Sequence, residues 1–143
     1  MKVLVVGAGA VGGYFGARLA EKGEDVTFLV REKRANLLKE HGLQVNSIHG
    51  DYHFHAKTLL AGEKREAFDL ILLSVKAYHL EKVMEEIIPF AGNQTLIMPL
   101  LNGIAHLDML QERFSKDRVI GGLCFIESTV DQEGAIVQTS PIH

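Results

Sequence analysis

A chain of 143 residues, 47% hydrophobic and 23% charged, is long enough for one domain with a real core and too apolar to be disordered. Its net charge of −3 gives no electrostatic reason to expect nucleic acid or an anionic membrane as a partner, and no apolar run approaches the ~20 residues a membrane span needs. The lone Cys124 excludes an intrachain disulfide; it reads as a small buried hydrophobe in an apolar run, and a reducing, cytoplasmic setting is expected.

Val3-Leu4-Val5-Val6 reads as a strand that runs straight into Gly7-Ala8-Gly9-Ala10-Val11-Gly12. Beyond it Val11, Phe15 and Leu19 repeat at helical spacing, while Gly12, Gly16 and Ala20 form a small-residue face that lets a helix lie close to a strand. Strand, glycine turn and helix in that order make a dinucleotide-binding fingerprint. Gly7 permits the tight turn, Gly9 lets the backbone approach a pyrophosphate, and Gly12 lets helix and sheet pack closely, with Ala10 and Val11 opening the helix whose N–H groups face the phosphates. The bland alternative is a glycine-rich turn that binds nothing. A secretory leader is not expected, because glycines break the apolar run and Arg18, Glu21 and Lys22 soon follow.

Gly23 is the expected end of the first helix, 25–30 the second strand, and 32–41 a short charged helix closed by Gly42. Residues 43–47 and 52–57 read as a hairpin turning at His49-Gly50-Asp51. After a charged loop, 70–75 reads as a buried strand and Leu80, Val83, Met84, Ile87 and Ile88 as the apolar face of a third helix that Pro89 stops or caps. A strand at 95–98, a turn at Asn102-Gly103 and a fourth helix showing Ile104, Leu107 and Leu110 follow. Residues 119–130 read as one strand, with 135–139 returning antiparallel after a turn at 131–134. Alternating strands and helices imply an α/β, Rossmann-type, doubly wound and mostly parallel sheet with a C-terminal antiparallel hairpin, and ligands at the carboxyl ends of its strands.

Those strand ends carry the candidate chemistry. Arg31 lies about twenty residues past the last motif glycine, where an NAD enzyme offers a carboxylate to the ribose. A guanidinium there suits a 2′-phosphate, which favours NADP, although the adjacent Glu32 leaves a ribose contact open. Lys33 and Arg34 add positive charge but read as a solvated helix face. Lys76 either snorkels at a strand end or places its cation by a cofactor ribose or substrate oxyanion, and the glycine motif favours the second reading. Asn102 can donate its amide to a carbonyl or a ribose oxygen, though Asn-Gly is also ordinary turn chemistry. His49, His53 and His55 lack a further ligand at useful spacing, so a surface hairpin and no metal site is expected. His79 and His106 are read as surface or packing residues near helix starts.

With Gly7-Ala8-Gly9-Ala10-Val11-Gly12-Gly13-Tyr14, Arg31, Ser74-Val75-Lys76, Leu101-Asn102-Gly103, Gly121-Gly122 and Gly134-Ala135-Ile136-Val137 in place, the chain resembles the ketopantoate reductases along its whole length. These are NADPH-dependent 2-dehydropantoate 2-reductases of pantothenate biosynthesis. The resemblance implies that Arg31 reads the 2′-phosphate and that Lys76 and Asn102 line the nicotinamide and substrate end, with ketopantoate as the 2-oxo acid substrate. It also implies a partner: the family has a second, helical domain that supplies the general-acid lysine, and residues 1–143 correspond to the cofactor half alone. The expectation is a fragment of a longer enzyme, inactive by itself, with a homodimer left open. The competing class is a non-catalytic NADP(H)-binding or redox-sensing module, and a related 2-hydroxy-acid dehydrogenase is the near competitor among enzymes.

Overall fold

The structure, a computed structural model, describes residues 1–7, 9–63, 66–74, 80–100, 104–120, 128–130 and 135–138. Five strands form a wholly parallel sheet in the order β5-β2-β1-β6-β7, from β1 (Lys2–Val6), β2 (Asp25–Leu29), β5 (Lys57–Leu59), β6 (Leu70–Leu73) and β7 (Leu96–Pro99). The chain winds outward from β1 to β2 and β5, then returns to β6 and β7, so the winding reverses between β1 and β6. Strict alternation along β1 sorts its side chains between the two faces. Leu4 and Val6 join one core with α3 (Leu80–Ile87) and α4 (Ile104–Phe114). Val3 and Val5 join the other with α1 (Ala10–Glu21) and α2 (Glu32–His41).

A second sheet, ordered β4-β3-β9-β8, packs on α1 and is built from β3 (Leu43–Ser47), β4 (Tyr52–Phe54), β8 (Ser128–Val130) and β9 (Ile136–Gln138). It corrects two sequence expectations. Residues 52–57 do not make one strand: Tyr52–Phe54 pairs antiparallel with β3, whereas Lys57–Leu59 pairs parallel with β2 and buries Leu59 under the large sheet. The two residues between them carry the chain from one sheet to the other, and the Lys57 ammonium ties the new edge to Asp25 at 2.5 Å, holding that carboxyl below its ordinary value. The two ends of the expected strand 119–130 likewise pair in different sheets, Val119 bridging Ile97 in the large one and Ser128–Val130 lying in the small one, with 121–127 outside the described residues. The C-terminal hairpin of β8 and β9 forms as expected, and β9 adds a parallel pairing with β3 that joins chain segments far apart in sequence.

Glycine geometry explains why α1 begins and ends where it does. Gly23, at φ +95°, turns the chain out of α1, its amide donating to the Ala20 carbonyl at 3.0 Å. The third helix stops one residue short of the expected apolar run: Pro89 forces a tighter 3-10 turn over Ile88–Phe90, and Ile88 rotates out to 40% exposure. Among the described residues no helix is long and apolar enough to cross a membrane.

Candidate dinucleotide site at the carboxyl edge

Parallel pairing in register brings the ends of four strands to one edge. Val6 lies beside Leu29 and Leu73, and Leu73 beside Pro99. The next amides continue the ladder, Gly7 donating to the Leu29 carbonyl at 2.8 Å and Leu100 to the Leu73 carbonyl at 2.7 Å. Gly7, Arg31, Ser74 and Leu100 therefore leave the sheet along a common rim, at the switch point where ligands bind in open α/β sheets.

The three motif glycines do different work there. Gly7 adopts φ +93°, a conformation that side chains disfavour, and so turns the chain up from β1. Gly12 faces Ser74: a Cβ at Gly12 would stand 2.0 Å from Ser74 Oγ and 3.1 Å from the Gly7 carbonyl oxygen. Ser74 is fixed in turn by donating to the Val6 carbonyl at 3.0 Å, so Gly12 and Ser74 lock α1 against the end of β6. Sequence reading placed Ser74 at a strand end but gave it no role; only three-dimensional proximity reveals one. Gly9 is the opposite case: among the described residues, its chain neighbours and own helix backbone aside, no atom stands within 4 Å of where its Cβ would be. Its missing side chain leaves room among the described residues at the start of a helix.

That helix start has nothing of its own to cap it. Gly9 is the N-cap residue and has no side chain to cap the first turn, and that turn carries no acid. The first intrahelical bond runs from the Gly13 amide to the Gly9 carbonyl at 2.8 Å, which leaves the amides of Ala10, Val11 and Gly12 ahead of it. An anion approaching over Gly9 meets those three N–H groups and the positive end of the helix dipole. The backbone thus fits the pyrophosphate of a dinucleotide.

Arg31 stands at the neighbouring strand end, as the N-cap residue of α2. Its side chain is 61% exposed and its Nη1 donates to Glu86 Oε1 of α3 at 2.9 Å. Glu32 occupies the first turn of α2, where an acid complements the helix dipole, which accounts for it without a ligand. Lys33 is exposed as expected, but Arg34 is half-buried rather than solvated, and burial holds its guanidinium below its ordinary value. Lys76, Asn102, Cys124 and His79 lie outside the described residues, as does Ala8, and nothing is described of the His106 side chain. His53 and His55 meet edge to face at 5.6 Å, and the His53 ring bonds the His41 carbonyl, which ties β4 to the end of α2. Among the described residues no histidine, cysteine and carboxylate cluster suited to a metal occurs.

The chain matches the family described as ketopantoate reductase PanE/ApbA over residues 3–142. It belongs to the ketopantoate reductase family. A relative from Bacillus subtilis (strain 168), described as uncharacterized oxidoreductase YkpB, is 51% identical over all of this chain and 47% of its own length. The crystal structure of 2-dehydropantoate 2-reductase from Geobacter metallireducens GS-15 superposes with a TM-score of 0.92 at 34% identity, covering 99% of this chain and 47% of that one. D-mandelate dehydrogenase with NADH and anilino(oxo)acetate superposes at 0.87 and 29% identity, over 96% of this chain and 45% of that one. The chain spans less than half the length of the curated relatives it matches. Family membership supports a nicotinamide cofactor, in agreement with the α/β fold and the glycine turn.

Proposed function

We propose that this chain binds NADPH across the carboxyl edge of its parallel sheet, as the cofactor half of a cytoplasmic reductase that converts ketopantoate to pantoate in pantothenate biosynthesis. The observation that carries the reading is the uncapped start of α1 behind the open face of Gly9, with the Arg31 guanidinium at the adjoining strand end. Bound NADPH supplies the hydride. The Ala10, Val11 and Gly12 amides hold the pyrophosphate, Gly7 and Gly9 shape the turn that admits it, and Arg31 pairs with the 2′-phosphate. On the family likeness, Lys76 and Asn102 are assigned to the nicotinamide and substrate end, where a cation and an amide donor orient and polarise a ketone. The substrate contacts and the general-acid lysine are assigned to a helical domain in the remaining length of such relatives, so turnover is a property of the longer protein.

The cofactor assignment is tested by titrating NADPH and NADH into the chain and its Arg31→Ala variant. Loss of one charge-assisted contact should weaken NADPH binding about tenfold to a hundredfold and leave NADH little changed. Equal losses for the two cofactors would remove the 2′-phosphate role. The likeness to NADH-bound D-mandelate dehydrogenase supports a second reading, a 2-hydroxy-acid dehydrogenase of the same fold that uses NADH. A wild-type chain that binds NADH more tightly than NADPH would favour it.

A further inference from the structure

Glu86 is a carboxylate in an unfavourable place. Its side chain is only 15% exposed, and it lies in the last turn of α3, the end of a helix dipole that favours cations. That last turn holds no basic residue, and the preceding Glu85 turns instead to Arg113 of α4. Compensation for Glu86 comes from the far side of the sheet edge, through Arg31 at 2.9 Å. The guanidinium assigned above to the 2′-phosphate thus already holds a carboxylate on one of its terminal nitrogens, while most of its surface remains open to solvent.

We propose that Glu86 is a specificity-determining residue that competes with the cofactor's 2′-phosphate for Arg31 and so sets how strongly the chain prefers NADPH to NADH. The proposal rests on the Arg31 reading given under Proposed function. A 2′-phosphate that displaces Glu86 leaves a mostly buried carboxylate without its cation; one that shares Arg31 with Glu86 places two anions on one guanidinium. Each route weakens NADPH binding. NADH, with a neutral 2′-hydroxyl, leaves the pair intact and is spared that penalty. Glu86 therefore narrows the gap between the two cofactors that Arg31 opens.

The test is a binding titration of NADPH and NADH with the wild-type chain, Glu86→Gln, Arg31→Ala and the double variant, with circular dichroism to confirm the fold. Glutamine keeps the shape and an acceptor oxygen while removing the charge. NADPH affinity should rise about threefold to tenfold in Glu86→Gln, with NADH within about twofold of wild type. In the Arg31→Ala background the same change should move NADPH by less than about twofold, since the shared cation is gone. Glu86→Ala, a second way of removing the charge, must shift the NADPH to NADH ratio in the same direction. If NADPH binding is unchanged or weaker in Glu86→Gln while Arg31→Ala still weakens NADPH selectively, the role of Glu86 is overturned and the Arg31 reading stands. If Arg31→Ala weakens both cofactors equally, the Arg31 reading falls and the role of Glu86 falls with it.

Discussion

The five-stranded and four-stranded sheets meet the same helix, α1, from opposite sides, but they are stabilised differently. In the large sheet Leu4, Ile71 and Ile97 stand in register on three adjacent strands, all fully buried, with helices on both faces. Parallel pairing of this kind fixes the strand ends relative to one another, and the candidate site is made of those ends. In the small sheet Val45 and Ile136 are buried against the α1 side, but polar residues such as Gln44, Asn46 and His53 interrupt the strands. One face covers α1 and the other meets water. The large sheet thus supplies position, and the small one shields the helix that carries the glycine turn.

The same truncation in each sheet sharpens that contrast. Ile71→Ala should be the most damaging change, costing about 4 kcal/mol, because its neighbours on β1 and β7 are held on all sides and cannot collapse into the void. Ile136→Ala should cost less, about 2–3 kcal/mol, since the short strands around it can relax. Urea unfolding of the two variants measures both. A cost for Ile136→Ala equal to or above that for Ile71→Ala would mean that the small sheet is as integral to the core as the large one.

The same division separates what sequence could and could not reveal. Strands β1, β2, β6 and β7 are short apolar runs flanked by glycine or charge, α1, α3 and α4 follow from apolar spacing and α2 from a charged run closed by Gly42, so the mostly parallel arrangement was legible, whereas β5 was read into the hairpin of 52–57. Of the small sheet the two antiparallel pairings were legible but not their union, because β3 joins β9 across most of the chain, and the switch at His55-Ala56 has no local turn signature. At the site, Gly7, Gly9 and Gly12 could be assigned distinct tasks from their spacing, and in the structure Gly7 has the positive φ, Gly12 packs on Ser74 and a Cβ at Gly9 would meet none of the described residues. Ser74 and Glu86 were invisible as site residues. Each acts on a partner distant in sequence, Val6 and Gly12 for the one and Arg31 for the other, and neither spacing nor composition encodes such a meeting. A carboxylate beside the apolar face of α3 in a turn without a local cation was the only signal for Glu86.

Gly9→Val should have the smallest effect on stability and the largest on function. Gly9 has extended backbone angles that valine accepts, and its Cβ would meet none of the described residues, so folding should lose no more than about 1 kcal/mol and the melting temperature should fall by less than about 5 °C. The added side chain would fill the volume through which a pyrophosphate reaches the Ala10, Val11 and Gly12 amides. Titration of NADPH into the folded variant is therefore the most direct test of the site. The account predicts an affinity reduced by more than about a hundredfold. A folded Gly9→Val chain that binds NADPH as tightly as wild type would contradict it and reduce the glycine turn to a plain connection between β1 and α1.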